Sequence, residues 1–187
     1  KKITKKESNI IYSNYYDFIF SFRSHILIDT NRLSKKCIPI NFHPGPPKYR
    51  GIGCINFALL NKEKYYGATA HIMKKKIDNG PILNYKKFKI SNDSNIEKVL
   101  DKTYKVQLNQ FKKLVNQLLD KRIDLENIIK KNKKIKWSSK LYKKKNLMRL
   151  YDLSNNIHKY KLNELVRATL TKKFKPYFKF KNMIFKL

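Results

Sequence analysis

The chain has 187 residues, of which 41% are hydrophobic and 13% aromatic, so we expect one folded domain and not a disordered basic tail. Its 44 basic and 13 acidic side chains give a formal net charge of +31. No run of about 18 apolar residues occurs, so we expect no membrane span. The lysines are scattered and form no nucleic-acid motif, so we attribute the charge to the codon usage of an AT-rich gene. A polyanion partner or a phosphate-bearing small substrate would also fit the charge.

The first elements are short apolar runs. Residues 17–22 and 38–42 predict two buried strands, and the second is stopped by residues 43–47, H-P-G-P-P, because proline donates no backbone hydrogen bond. Residues 54–60 predict a short helix packed under this loop. Residues 68–73 alternate as a strand does, and residues 82–90 do so in part.

The second half of the chain is predicted to be mainly helical. Residues 94–97, S-N-I-E, are a capping-box pattern, and apolar residues recur after them at helical spacing for about seven turns. Residues 147–153 and 162–170 predict two short helices. Residues 176–187 alternate aromatic or aliphatic residues with lysines, which indicates a terminal hairpin that turns at Lys181-Asn182.

Short buried strands mixed with helices predict an α/β domain with a mostly parallel sheet, whose ligands gather at the carboxyl ends of the strands. We expect residues 1–120 to form the catalytic core and residues 121–187 a small C-terminal helical and hairpin appendage. Cys37 and Cys54 fit no disulfide or metal framework, so we interpret them as reduced thiols of a cytoplasmic protein. We expect no metal.

Asn41, His43 and Asp78 are the candidate catalytic residues. Asn41 and His43 flank Phe42 and share one face of a strand, and Asp78 follows a later strand. An amide can stabilise an oxyanion, an imidazole can move protons, and a carboxylate can orient the imidazole or hold a water molecule, which together suit acyl-type transfer between two bound substrates. A purely structural reading also fits, because His43 lies in a proline-rich loop and Asp78 begins a D-N-G turn. We interpret His71 as a half-buried histidine of a strand.

Four motifs in order resemble the signature of the folate-dependent formyltransferases. These are Asn41-Phe42-His43-Pro44-Gly45, Tyr49-Arg50-Gly51, Gly67-Ala68-Thr69-Ala70-His71 and Ile77-Asp78-Asn79-Gly80-Pro81-Ile82. The resemblance implies a Rossmann-like formyltransferase core, the catalytic roles of Asn41, His43 and Asp78, and N10-formyltetrahydrofolate as the formyl donor. It also implies that backbone of residues 21–26 and 74–78 holds this co-substrate.

The resemblance therefore yields two sets of candidate binding residues. The co-substrate set is Phe22, Arg23, His25, Ile26, Lys75 and Ile77. The acceptor-substrate set is Pro44, Gly45, Tyr49 and Arg50.

Within that family the chain is most similar to the sugar N-formyltransferases. The likeness rests on residues 41–47 and 51–59, on Trp137 ahead of a helix, and on residues 166–169 and 176–177. It implies that the acceptor is the amine of a nucleotide-linked amino sugar. The alternatives are a methionyl-tRNA or glycinamide ribonucleotide formyltransferase, or a non-catalytic basic remnant of the fold that binds nucleic acid.

The resemblance also bears on partners and on the N-terminus. We expect no membrane or nucleic-acid partner, and a homodimer that forms through the C-terminal segment. In these enzymes a longer region precedes the Asn-x-His motif, so we expect the sequence to begin inside a longer protein whose N-terminal part is missing. About fifty further residues would complete a doubly wound sheet.

Overall fold

The computed structural model describes residues 3–13, 15–24, 26–120 and 123–187. In this part of the chain no helix has both the length and the apolar character that crossing a membrane requires. Short 3-10 helices cover Thr30–Arg32 and Leu153–Asn155. The remaining elements are α1 Lys5–Ile11, β1 Phe18–Phe22, β2 Ile38–His43, β3 Arg50–Gly51, α2 Cys54–Leu60, β4 Tyr65–Ile72, β5 Ile82–Lys89, α3 Ile96–Leu119, α4 Leu125–Lys131, β6 Leu141–Tyr142, α5 Lys144–Tyr151, α6 Leu162–Thr169, β7 Tyr177–Phe180 and β8 Met183–Lys186.

The main sheet has the strand order β1-β2-β4-β5. β1 and β2 are parallel, and Ser21 lies opposite Asn41. The pairs β2–β4 and β4–β5 are antiparallel. The predicted α/β class is confirmed, and parallel pairing joins β1 to β2 in the main sheet and β3 to β6 in a separate two-stranded sheet. In the main sheet the two other pairings between described strands are antiparallel, whereas mostly parallel pairing was expected. The segment 73–81 shows why, since it is too short for the crossover that a parallel β4–β5 pair would need.

The predicted long helix is confirmed as α3, with 24 residues. Its capping residue is Asn95, whose side chain accepts a hydrogen bond from the Lys98 backbone N–H at 3.0 Å. The S-N-I-E pattern had predicted Ser94 instead. The Ser94 hydroxyl is hydrogen-bonded to the Ser91 hydroxyl at 2.7 Å, so it does not cap the helix. The helix consequently begins one residue later than the pattern indicated.

α3 packs against the sheet through aromatic rings and two buried glutamines. Ring centroids 5.5 to 6.5 Å apart link Phe20, Phe22, Phe42 and Phe111. Gln107 donates a hydrogen bond to the carbonyl of Phe42, and Gln110 donates one to the carbonyl of Ala68 at 3.1 Å. Burying one such ring stabilises the fold by roughly 1.5–3 kcal/mol. These contacts fix the position of β2 beneath the helix.

A second apolar cluster joins the C-terminal half of the chain to α2. Leu165 and Ala168 of α6 have no exposed surface. Asn56 of α2 donates a hydrogen bond to the Ala168 carbonyl at 2.7 Å, and the Arg167 side chain donates one to the Ser94 carbonyl at 2.6 Å. The described residues after 122 therefore pack closely onto the first part, and the proposed boundary at residue 120 stays a prediction.

The predicted terminal hairpin is confirmed. β7 and β8 are antiparallel, and the turn lies at Lys181, whose φ of +51° is in the left-handed region. The backbone N–H of Lys179 donates a hydrogen bond to the Ser154 hydroxyl at 2.7 Å, which attaches β7 to the segment after α5. Every residue of β8 is exposed.

Candidate active site

The three candidate catalytic side chains meet beside the carboxyl end of β2. Asn41 and His43 belong to β2, and Asp78 lies in the segment between β4 and β5. The Asn41 Nδ2 is 3.4 Å from the Asp78 Oδ1, and the His43 Nδ1 is 3.3 Å from the Asp78 Oδ2. The structure thus brings together the residues that the sequence selected.

Asp78 is buried and held as an anion. The Gly51 backbone N–H donates a hydrogen bond to its Oδ2 at 2.9 Å. Burial raises the pKa of Asp78, but the nearby His43 ring, the adjoining His71 ring and a hydrogen bond from the Gly51 backbone N–H outweigh burial and lower that pKa to about 2. Its φ of +44° lies in the left-handed region, which costs an aspartate on the order of 1 kcal/mol. The surrounding hydrogen bonds maintain this conformation.

His43 is 2% exposed and has an acceptor beside each ring nitrogen. Its Nε2 lies 2.7 Å from the Tyr49 carbonyl oxygen. Because a carbonyl can only accept, Nε2 must carry a proton, which leaves the Nδ1 lone pair beside Asp78. Burial lowers the pKa of His43 more than the opposing effect of Asp78 raises it, so the ring is neutral near pH 7. A neutral ring can take a proton at Nδ1.

His71 belongs to the same cluster, although the sequence indicated only a half-buried strand residue. It is 2% exposed, and its Nε2 lies 3.1 Å from the Asn41 Nδ2 and 3.4 Å from the Asp78 Oδ1. The antiparallel register places His71 directly opposite Asn41. A prediction of antiparallel pairing between these two strands would have revealed the contact.

Two residues connect the cluster to the C-terminal half. The Trp137 ring packs edge-on against the rings of His43 and His71, with centroids 5.7 and 4.9 Å away, and its Nε1–H donates a hydrogen bond to the Gly80 carbonyl at 2.7 Å. Arg50 donates hydrogen bonds to the Ile77 carbonyl at 2.7 Å and to the Ser138 carbonyl at 2.9 Å. The segment that carries Asp78 is therefore fixed from both sides.

The first part of the co-substrate set lies at the end of β1. Phe22 is paired with Phe42, one residue from both catalytic side chains of β2. Arg23 has a φ of +53°, and its guanidinium lies 3.8 Å above the centre of the Tyr104 ring. Ile26 follows in the loop, and His25 lies outside the described residues.

The second part of the set precedes Asp78. Lys75 is exposed, and the side chain of Ile77 is 46% exposed. Ser21 lies opposite Asn41 one residue before the end of β1, so the loop that follows β1 begins close to Asn41. The segment that contains Ile77 contacts Asn41 through the side chain of Asp78. The two predicted segments therefore both adjoin the candidate catalytic residues, and their contact with a co-substrate stays a prediction.

The acceptor-substrate set supports the loop in this structure. Tyr49 is 2% exposed, and its hydroxyl donates a hydrogen bond to Glu63 at 2.9 Å. The carbonyls of Pro44 and Gly45 accept hydrogen bonds from Tyr66 and Thr69. Arg50 is 8% exposed and bonded to backbone carbonyls. Contact between these residues and a substrate stays a prediction.

The cluster can support direct transfer of an acyl-type group. Asn41 supplies an N–H donor, the neutral ring of His43 an acceptor for a proton, and Asp78 a negative charge that stabilises the protonated ring. The Cys54 Sγ lies 3.8 Å from the His43 Nε2, but burial raises the pKa of the thiol and keeps it protonated, which argues against a thiolate nucleophile. Among the described residues, no group of three or more His, Cys, Asp or Glu side chains is suited to a metal.

The family comparison matches the part of the chain that holds this cluster. The model of the formyl transferase family, Formyl_trans_N, matches residues 27–145. The bifunctional polymyxin resistance protein ArnA of Wigglesworthia glossinidia brevipalpis is 42% identical over 76 residues, which are 40% of this chain and 12% of the relative. The methionyl-tRNA formyltransferase of Mycoplasmopsis pulmonis is 30% identical over 122 residues, which are 63% of this chain and 42% of the relative. The chain thus spans less than half the length of these curated relatives.

Solved structures resemble a larger part of the chain. A 4-N formyltransferase from Francisella tularensis has a TM-score of 0.78 at 24% identity, over 99% of this chain and 75% of its own. An N-formyltransferase from Helicobacter canadensis, solved with folinic acid and dTDP-3-aminofucose, has a TM-score of 0.71 at 18% identity, over 96% and 63%. Phosphoribosylglycinamide formyltransferase from Campylobacter jejuni has a TM-score of 0.52 at 17% identity, over 61% and 63%. At these identities the likeness establishes the fold.

Proposed function

The chain belongs to the formyl transferase family, and from this membership we propose that it transfers a formyl group from N10-formyltetrahydrofolate to the amine of a nucleotide-linked amino sugar. The observation that carries the proposal is the cluster of Asn41, His43 and Asp78, which is joined by contacts of 3.3 and 3.4 Å and in which His43 and Asp78 are buried and Asn41 is half-buried. It supplies a hydrogen-bond donor, a proton acceptor and a charge within one site.

Each residue has a defined task in this proposal. The co-substrate supplies the formyl carbonyl. The Asn41 Nδ2–H donates a hydrogen bond to the oxygen on which negative charge develops. His43 accepts the proton of the attacking amine at Nδ1, and Asp78, 3.3 Å away, stabilises the resulting imidazolium. The imidazolium then returns the proton to N10 as the bond between N10 and the formyl carbon breaks and tetrahydrofolate leaves. Because both groups are buried, their interaction is stronger than it would be in water.

The residues near Asn41 fit a folate co-substrate in one respect. The side chain of Ile77 is 46% exposed next to a buried carboxylate, which is an apolar surface suited to a heteroaromatic ring. We assign backbone of residues 21–26 and 74–78 to hold the co-substrate. The Helicobacter canadensis relative was solved with folinic acid, which supports a folate co-substrate.

Support for a sugar acceptor comes from the extent of the structural likeness. The relative solved with dTDP-3-aminofucose resembles 96% of this chain, including the C-terminal half, whereas the phosphoribosylglycinamide enzyme resembles 61%. The C-terminal half also supplies Trp137, which packs against both histidines of the cluster. We propose that Pro44, Gly45, Tyr49 and Arg50 form or support the acceptor site.

Methionyl-tRNA is the second candidate acceptor. Several curated relatives with 26–42% identity are named methionyl-tRNA formyltransferases, and the net charge of +31 suits a polyanion. The two acceptors differ in a measurable way, because binding to RNA through many phosphates weakens steeply as the salt concentration rises.

Comparing the possible acceptor substrates one at a time distinguishes these functions. The protein is incubated with N10-formyltetrahydrofolate and, separately, with dTDP- and UDP-linked amino sugars, glycinamide ribonucleotide and methionyl initiator tRNA, and tetrahydrofolate release is followed. We expect release only with an amino sugar, and His43→Asn provides the blank. Release only with the tRNA would replace the sugar assignment. Salt-sensitive RNA binding without release from any acceptor would favour a non-catalytic remnant.

We further propose that a second copy of the chain covers β8 and that the enzyme acts in the cytoplasm. Met183, Ile184 and Phe185 are 52%, 59% and 53% exposed on the hairpin. Adjacent exposed apolar side chains of this kind are typical of surfaces between protein chains.

A further inference from the structure

We propose that His71 is a positioning residue, which rests on the proposed function. Its ring holds the Asn41 amide so that the nitrogen, and not the oxygen, faces the developing negative charge. An amide with the opposite orientation would present a carbonyl oxygen to that charge and repel it. The role therefore determines whether Asn41 can act as a donor at all.

The tautomer of His71 follows from its backbone contact. Its Nδ1 lies 3.0 Å from the Ile72 carbonyl oxygen. A carbonyl oxygen only accepts, so Nδ1 carries a hydrogen, and in the tautomer with this one ring hydrogen the Nε2 has a lone pair. That lone pair faces the Asn41 side chain.

The lone pair decides the orientation of the Asn41 amide. At 3.1 Å from the His71 Nε2, the Asn41 Nδ2 can donate one of its two hydrogens, whereas an oxygen in this place would meet a lone pair. The other hydrogen faces the Asp78 Oδ1 at 3.4 Å, beyond the usual range of a strong hydrogen bond. This second hydrogen is therefore available to the substrate oxygen.

The His71 ring itself is well fixed. It is 2% exposed, and the Trp137 ring packs against it at a centroid distance of 4.9 Å and an interplanar angle of 78°. The strands β2 and β4 place His71 directly opposite Asn41. Regular backbone pairing therefore sets the distance between the two side chains.

The test compares two substitutions of the same residue. His71→Leu removes the acceptor at similar size, whereas the amide oxygen of His71→Gln can accept from Asn41. Because Asn41 would lose its function as an oxyanion donor, we expect kcat of His71→Leu to fall by about 10²–10³ with KM unchanged within about twofold. His71→Gln should recover to within about tenfold of the natural protein. His158→Leu, at an exposed histidine, is the matched control and should keep full activity.

A second measurement does not depend on turnover. The side-chain NH₂ signals of Asn41 are recorded by ¹⁵N-labelled NMR and assigned with Asn41→Ser. In the natural protein and in His71→Gln, one amide hydrogen should exchange slowly with water. In His71→Leu the two hydrogens should exchange alike and fast.

The outcomes separate the inference from the proposed function. Normal kcat or an unchanged, slowly exchanging Asn41 amide hydrogen in folded His71→Leu overturns the inference. So does an equal loss of kcat and of that slowly exchanging hydrogen in His71→Leu and His71→Gln. If His71→Leu does not fold, folded His71→Gln decides, because loss of its slowly exchanging hydrogen also overturns it. A natural protein that is inactive with every acceptor refutes the proposed function, and the NMR comparison still decides the role of His71.

Discussion

Arg50→Met should loosen the segment that carries Asp78. The substitution keeps an unbranched apolar chain but removes the guanidinium, which donates hydrogen bonds of 2.7 Å to the Ile77 carbonyl and 2.9 Å to the Ser138 carbonyl. Hydrogen bonds from a charged donor contribute about 1.5–3 kcal/mol each, so the two together contribute about 3–6 kcal/mol.

We expect the lower end of that range, about 3 kcal/mol, because removal of Arg50 also relieves an unfavourable feature. The guanidinium is 8% exposed, and its Nε has no hydrogen-bond partner among the described residues. Removing a buried charge recovers part of its desolvation cost. For a chain of this size, 3 kcal/mol corresponds to a decrease of about 6–12 °C in Tm.

The same substitution should slow the reaction. Once Ile77 is released, Asp78 can leave its left-handed conformation and move away from His43, and a displacement of about 1 Å can reduce the rate about 10²-fold. Urea unfolding followed by circular dichroism measures the first effect, and formyl transfer measures the second. Lys112→Met, at an exposed side chain of α3 outside both segments assigned to the co-substrate, is the control. Unfolding within 1 kcal/mol of the natural protein together with normal kcat would refute the bridging role of Arg50.

Three further outcomes are expected. His43→Asn and Asp78→Asn should fold but transfer formyl groups about 10²–10⁴ times more slowly, and near-normal steady-state turnover by His43→Asn would exclude it from proton transfer. Because the pKa of Asp78 is lowered from 3.8 to about 2, the stability that it contributes is present above pH 4 and lost as the pH falls towards 2. The unfolding free energy should then decrease by about 2 kcal/mol more in the natural protein than in Asp78→Asn, and parallel pH profiles would contradict this. Ile184→Lys should dissociate the proposed homodimer in sedimentation experiments, whereas a natural protein that sediments as a monomer would contradict the dimer.

Local sequence patterns predicted most helices and strands because buried residues recur with the repeat of about 3.6 residues in a helix and of two residues in a strand. The apolar spacing after Asn95 gave α3, and alternation gave β4 and the terminal hairpin. α4 was missed because the lysines around Leu125–Lys131 hide its apolar side. The antiparallel pairings of the main sheet were not predicted because the composition of a strand does not specify its direction, and only the short connection 73–81 excludes a parallel β4–β5 pair.

The candidate catalytic residues could be selected from the sequence, but most of their support could not. The spacing of Asn41 and His43 on one strand indicates a shared face, and the D-N-G motif indicates a turn at Asp78. The Gly51 N–H and the Ile77 carbonyl are backbone groups, which a residue pattern does not identify. Trp137 reaches Gly80 across 57 positions of the chain, so local spacing holds no signal for it.

The cluster is positioned by parts of the chain that lie far from it in sequence. Gln107 of α3 binds the carbonyl of Phe42, the residue between Asn41 and His43, and Trp137 and Arg50 hold the segment of Asp78 from the other side. Phe42 and Gln107 are buried, so these contacts persist whichever acceptor binds. Acceptor choice should therefore depend on the residues that contact the acceptor, whereas substitutions at Gln107 and Trp137 should reduce kcat for every acceptor and leave the preference among acceptors unchanged.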